Sequence, residues 1–183
     1  MACTCSSLTL AGLCKDCEGS VGGIVEVYVA KYGDVTSVAV ADSGDSKSMV
    51  TGITMASGTS YYVYQFRKNT GSMTSTLNVT DDGNVYVSTE LSLVFSKMET
   101  KKRIEMNALA TQDLAIIVKD ANGKYWYLGE TEPVNASAGE GATGTNRTDS
   151  NHYQITFTAL SPNFLPEVLG SVIEGLSKVE PTN

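Results

Sequence analysis

The stretch VYVSTELSLVFSKMETKKRIEMNALATQDLAIIVKDANGKYWYLGE, Val85–Glu130, decides the fold. In Val85–Lys97, Val85, Val87, Leu91, Leu93 and Phe95 share one parity, and Tyr86, Ser88, Glu90, Ser92, Val94 and Ser96 share the other. An apolar face backed by a mostly polar one is the period-two pattern of a half-buried antiparallel strand. Its length is above average, as in hairpins that protrude or pair with neighbours. Glu99–Gln112 reads as the one clear helix, with an apolar stripe of Ile104, Met106, Ala108 and Leu109. Lys101, Lys102 and Arg103 sit on its polar side near the start, where cations oppose the macrodipole. That placement suits a solvated face or an acidic neighbouring subunit better than a nucleic-acid patch.

Asp113–Asp120 carries LAIIV, a wholly apolar run suited to a central strand, and ANG joins it to Lys124–Glu130 as an Asx-Gly hairpin. Trp126, the single tryptophan, is expected as a core or interface anchor. Thr131–Asn151 is rich in Gly, Ala, Ser, Thr and Asn and reads as an open loop. Loops of that length in a domain are usually functional or disordered, and this one is expected to order on assembly. His152–Leu160 alternates Tyr153, Ile155 and Phe157 on one face, a further half-buried strand.

Upstream, Gly19–Gly23 breaks the chain before the β-branched strand Ile24–Ala30. Gly22-Gly23 suggests a positive-φ turn or close backbone packing, since the following helix and GK[ST] end of a phosphate loop are missing. Short strands are expected near 35–42 and in Met49–Ala56. Tyr61–Lys68 reads as a strand with aromatics on both faces, one toward the core and one toward a neighbour. Ser72–Thr80 is a Ser/Thr-rich strand, and DDGN (Asp81–Asn84) folds it onto the long strand from Val85. After Pro166, Val168, Leu169, Val172, Ile173 and Leu176 recur at helical spacing, interrupted by Gly170 and Gly175. A short amphipathic helix and an arm docked on a neighbour both fit.

The net charge of −7 argues against a protein that wraps nucleic acid by neutralising phosphates. It suits solubility, or a surface that a polyanion passes without sticking. No apolar run approaches the ~20 residues of a membrane helix. The N-terminus MACTCSSLTLAGLC lacks the charged start and long apolar core of a secretory signal, so the expected compartment is the cytoplasm of the producing cell.

Cys3, Cys5, Cys14 and Cys17 follow a C-x-C-x8-C-x2-C pattern. Three readings stay open: a tetrahedral zinc site, for which the C-x2-C half has knuckle spacing; disulfides in an oxidising medium; and reduced, partly buried thiols. Beyond a structural zinc, no cofactor is expected. His152 is the lone histidine, so any Ser-His-Asp or Cys-His arrangement must use it, and its place at a strand start suits an edge histidine instead. The acidic pairs Asp81/Asp82 and Glu130/Glu132 fall in or beside turns and lack the oxygen-rich series of a calcium loop. Asn78, Asn135 and Asn146 match the glycosylation acceptor pattern and are read as chance matches. No catalytic residue is assigned, and the chain is expected not to be an enzyme.

The order strand, helix with K-R-I-E-x-x-A-L-A, apolar strand, D-x-N-G-K-Y-W-Y-L-G, Gly/Thr-rich loop and H-Y-Q-I-T-F-T-A-L-S-P resembles a bacteriophage tail tube subunit. DANGKYWYLG is similar to a recurring D-x-x-G-x-x-x-x-L-G element of that family, and ATGTNRTDSNHYQITFTAL to the G-x-x-x-x-D-x-x-x-Y-x-L-T-F element that follows it. The start C…GGIVEVYVA is similar to structural proteins of phages of Bacteroides-type hosts. The resemblance covers roughly residues 14–30 and 85–165. It implies a mainly β fold, an antiparallel β-sandwich or barrel with one flanking helix and long hairpins. It also implies homo-oligomeric, hexameric rings stacked into a tube, in contact with other tail proteins. Hairpins from each subunit would form an inner barrel through which genome DNA passes without specific binding. The protein would be part of the virion, assembled in the host bacterial cytoplasm and not membrane-bound. The cysteine cluster and the apolar segment from Leu165 to Leu176 depart from the family pattern.

The expected organisation is an N-terminal cysteine-containing arm (1–23), a β domain (24–160) with its helix near 99–112, and a C-terminal arm (161–183). Alternatives to the tube subunit are a tail terminator, a baseplate or ring protein, a secretion-system tube protein and a carbohydrate-binding β-sandwich module.

Overall fold

The long strand expected from Val85 forms as β6, and the rest of the fold is laid against it. The computed structural model describes residues 19–42 and 48–181. Cys3, Cys5, Cys14 and Cys17 lie outside the described residues, so the zinc, disulfide and thiol readings are untouched by it. In chain order the strands are β1 (Ile24–Lys31), β2 (Val35–Val40), β3 (Val50–Met55), β4 (Tyr61–Gln65), β5 (Gly71–Val79) and β6 (Val85–Ser96). Helix α1 (Thr100–Ala110) precedes β7 (Leu114–Asp120), β8 (Tyr125–Leu128), β9 (Asn135–Ala142) and β10 (His152–Ser161). The chain then forms β11 (Glu167–Val168), α2 (Gly170–Gly175) and β12 (Lys178–Val179).

These make a mainly β fold of two sheets. An eight-stranded sheet runs β12-β4-β1-β7-β8-β11-β3-β2 and curls; a four-stranded sheet runs β5-β6-β10-β9. β7 explains the wholly apolar LAIIV run. It lies between β1 and β8, and Leu114, Ala115, Ile116, Ile117 and Val118 are all buried. Leu114, Ile116 and Val118 meet Val27, Val29, Leu91, Leu93, Ile155 and Phe157 in the core between the sheets. Ala115 and Ile117 face the other way, into a second core with Tyr28, Tyr61, Val63, Tyr127 and Ile173. A strand covered on both faces has no polar side to alternate with. Each fully buried Ile or Leu contributes roughly 1.5–3 kcal/mol.

The sheets join at one corner. Val134 and Leu114 exchange backbone hydrogen bonds of 2.8 and 3.0 Å, after which the chain crosses into β9. Gly129 makes the approach: its φ is +103°, and a Cβ there would lie 3.3 Å from the Ala115 Cα. At the start of the domain Gly23 has φ +116°, in keeping with the expected turn.

Two expectations are corrected. The supposed open loop Thr131–Asn151 contains β9, paired along β10 from Asn135 to Ala142. Its residues NASAGEGA carry too little apolar side chain to give a strand pattern, and backbone pairing to β10 holds them instead. Ile104, placed on the apolar stripe of the helix, is 58 % exposed; Leu109 is the buried anchor of α1, with Met106 packed beside it. Of the two readings open after Pro166, a short helix does form as α2, while Val168 pairs in β11 and Leu176 lies beyond the helix. The segment 161–183, expected as an arm, packs on its own chain through residue 179: β11 pairs with β3 and β8, β12 pairs with β4, and Ile173 and Leu176 enter the second core.

Candidate functional site

The residues weighed for chemistry stand apart. His152 begins β10, its Nε2 3.8 Å from the Glu140 carboxylate and its Nδ1 3.4 Å from the Ser150 carbonyl oxygen. Asp81 and Asp82 are exposed in the β5–β6 turn, and Glu130 and Glu132 are exposed between β8 and β9. Among the described residues no three His, Cys, Asp or Glu side chains gather as a metal site. Asn135 and Asn146 are exposed and Asn78 is half-buried. Trp126 is half-buried on β8, where its Nε1–H donates to the Asp120 carboxylate at 3.2 Å. No helix among the described residues is long and apolar enough to cross a membrane.

What the fold does build is an extended surface, the four-stranded sheet. β6 pairs with β5 from Val79↔Val85 to Gly71↔Leu93, and with β10 from Ser161↔Val87 to His152↔Ser96. Paired residues share a face, so the register sorts every side chain. Met73, Val87, Thr89, Leu91, Leu93, Ile155 and Phe157 point inward. Ser72, Thr74, Thr76 and Asn78 of β5, Tyr86, Ser88, Glu90, Ser92 and Val94 of β6, His152, Gln154, Thr156, Thr158 and Leu160 of β10, and Glu140 of β9 point outward. None of the four strands contains Lys or Arg. The outward face is therefore hydroxyl-rich and weakly acidic. Gln154 Nε2 donates to Ser92 Oγ at 3.0 Å across it.

Both edges of this sheet are open among the described residues: β5 pairs only with β6, and β9 only with β10. Open edges present unpaired N–H and C=O groups, a template for another chain. Neither carries the lysine or proline that commonly blunts an edge. Tyr153 lies across Gly141 of β9, where a Cβ would come within 2.8 Å of its ring, so the small residues of this edge let the strand lie flat.

The hairpin outruns the core. Thr89 is the last polar residue buried along β6, its Oγ1 hydrogen-bonded to Ser75 Oγ at 2.8 Å. Beyond it Val87 is still fully buried, and the inward face then continues as Leu77, Val79 and Val85, which are 49 %, 68 % and 52 % exposed. The turn Asp81–Asn84 closes the hairpin, with Gly83 at φ +81° and the Thr80 N–H donating to the Asn84 carbonyl at 2.9 Å.

The opposite end of β6 runs into Lys97 and α1. Glu99 accepts from Lys97, which holds its carboxyl below the usual range, and the nearby Lys102 charge lowers it further. Lys102 Nζ also donates to the Ser96 carbonyl, so that cation ties the helix to the strand end. The first turn of α1 holds no acidic residue. Between α1 and the β4–β12 edge lies an open groove of about 630 Å³ with Tyr62, Tyr64, Phe95 and Val179 among its lining. Tyr64 donates to Glu105 at 3.1 Å and packs edge-on against Phe95 at 6.0 Å.

Comparison with protein-family models, with curated proteins and with solved structures finds no match.

Proposed function

We propose that the chain is the structural subunit of a phage tail tube, assembling as homo-oligomeric rings stacked into a conduit for genome DNA. The observation that carries this reading is the four-stranded sheet with two open, unblunted edges and an outward face free of Lys and Arg. An even number of antiparallel strands leaves the two edge strands running in opposite directions. β9 of one copy and β5 of the next would then pair antiparallel and continue the ladder around a ring. Closure of that kind removes the edges. The hydroxyl-rich face would line the lumen, where phosphates meet neither cations to bind nor a strong field to repel them. The reading includes contacts with other tail proteins and residence in the virion.

Negative-stain images of the purified protein test it. Tubes are expected; isolated rings would favour a terminator or baseplate-type ring component, and a monomer at high concentration would overturn both.

A further inference from the structure

We propose that in the free subunit residues 8–16 of the chain pair antiparallel along the open edge of β5, with Leu8 opposite Val79 and Leu10 opposite Leu77. The role of this pairing rests on the tube reading, since the same edge is the one a neighbour's β9 would take. The arm caps the edge until a ring closes.

The entry of the chain into the fold sets the direction. The Val21 N–H donates to the Asn122 side-chain oxygen at 2.8 Å, and the Val21 carbonyl accepts from the Asn122 amide at 2.9 Å. The Gly23 carbonyl accepts from the Ala121 N–H at 3.0 Å. Ile24 then packs against Gly71, the first residue of β5, where a Cβ would lie 3.1 Å from the Ile24 Cβ. Gly22 and Gly23 share an open hollow of about 440 Å³ with Asn69, Gly71, Ser72 and Val94. The segment before Val21 is therefore delivered at the start of β5. From there β5 runs to the hairpin tip, so a preceding segment laid along it runs antiparallel.

The edge offers both polar and apolar partners. The Val94 N–H donates to the Thr70 carbonyl, and the Thr80 N–H to the Asn84 carbonyl. Carried through the register, this turns the backbone groups of Ser72, Thr74, Thr76 and Asn78 toward β6. Those of Met73, Ser75, Leu77 and Val79 face the open edge. The Leu77 and Val79 side chains are also the exposed apolar overhang on the inner face. Ser7-Leu8-Thr9-Leu10 has the matching period. In the proposed register Leu8 and Leu10 continue the inner face beside Val79 and Leu77, and Thr9 falls beside Asn78 on the hydroxyl-rich face. The same register sets Asp16 opposite Gly71, where the chain enters. Residues 8–16 match the length of β5 and contain no proline, so the ladder is uninterrupted. Extended pairing holds Cys5 and Cys14 about 30 Å apart. It therefore excludes one zinc or one disulfide spanning the two cysteine pairs.

Amide hydrogen exchange, resolved by NMR on the full chain over a dilution series, tests the pairing. The Met73, Ser75, Leu77 and Val79 N–H groups are expected to be protected, and equally so at every concentration. Leu8→Asp/Leu10→Asp sets two carboxylates against the apolar overhang. It is expected to lower the protection of those four amides at least about tenfold, with Thr74 and Thr76, bonded to β6, unchanged. The variant should also form rings with a shorter lag, because β5 is no longer covered. Unprotected edge amides in the wild-type chain, or protection that the variant leaves unchanged, would overturn the arm. Protection that falls on dilution would assign the edge to a second copy and overturn it too, as would one zinc bound by all four cysteines. A chain that shows the expected exchange but forms neither rings nor tubes keeps the arm and fails the tube reading.

Discussion

The Thr89 and Ser75 hydroxyls lie 2.8 Å apart one residue pair before the β5–β6 hairpin begins to leave the protein interior, and Thr89 is fully buried. On the core side of this pair Leu91 faces Met73; on the tip side Val87 faces Leu77. Val87 is fully buried as well, so the pair is a satisfied polar contact inside the dry part of the hairpin, which ends between Val87 and Val85. Ser75→Ala strands the Thr89 hydroxyl and is expected to cost about 1–2 kcal/mol. Adding Thr89→Val should recover most of that, because no buried polar group is then left unpaired. Denaturant unfolding of both single variants and the double variant measures the cycle; equal, additive losses would show that the hydroxyls do not interact.

Gly129 is the tightest backbone position at the corner where the sheets join. Ala there must adopt φ +103° and bring its Cβ within 3.3 Å of the Ala115 Cα and 3.4 Å of the Leu114 oxygen, both backbone atoms that cannot step aside. Gly129→Ala is expected to cost about 2 kcal/mol or more, lowering the melting temperature by roughly 4–8 °C in a domain of this size. Gly58→Ala, also at positive φ but in open space, should cost less. A thermal scan in which the two variants melt together would remove the special role of the corner.

These positions show what the sequence made legible. The alternation in Val85–Ser96 gave the strand, its buried face and its turn, because side-chain period and burial coincide there. LAIIV gave a central strand for the same reason. β9 was hidden because it is held by backbone pairing, and its Ala, Ser and Gly side chains leave no period to read. Its open edge, half of the candidate assembly surface, was hidden with it. The Lys- and Arg-free face was present in the sequence, but only the pairing register brings Thr74, Glu90 and Thr158 together. Ile104 misled because apolar character alone does not say which side of a helix meets a sheet.

Tyr61 and Tyr127 place two hydroxyls near each other in the second core, neither making a hydrogen bond of full geometry. Burial pushes Tyr127 up to about 12 and raises Tyr61 further. A raised tyrosine favours its neutral form in the fold. That stability is complete below the unfolded value of about 10 and is lost as pH rises toward the folded values. Spectrophotometric titration should therefore show these two tyrosines ionising only as the protein unfolds in strong alkali. Tyr61→Phe removes a buried hydroxyl without a full hydrogen bond and should be close to neutral in stability. Early, reversible ionisation of all the tyrosines would contradict the burial argument.

Asp149 draws the β9–β10 connection into a turn by accepting from the Asn146 and Thr145 N–H groups at 2.6 and 2.8 Å. Those bonds lower its pKa, Asn146 contributing most. A depressed carboxyl stabilises the turn above its unfolded value of about 3.9 and loses that contribution as pH falls through the lower folded value. The amide proton shifts of Thr145 and Asn146 should titrate together with a midpoint below about 3.9, and Asp149→Ala should abolish the transition. An unchanged titration in that variant would assign it to another group.

The outward face of the four-stranded sheet makes the lumen assignment testable without a structure of the assembly. Thr74 and Thr156 point outward from β5 and β10, away from both cores. Thr74→Lys/Thr156→Lys therefore adds two cations to that face while leaving the packed interior alone. If this face lines the tube, wild-type tubes carry no cation to hold duplex DNA there. Variant tubes should retain DNA in a salt-sensitive way, with the slope of log affinity against log salt steepened by up to about 0.9 per added contact. Lysines placed instead on the outer wall would bind DNA added to preformed tubes. Lysines inside the lumen would bind mainly DNA present during assembly, because the wall shields them afterwards. Equal binding by either order of addition would put this face on the outside and require the sheet to be turned around.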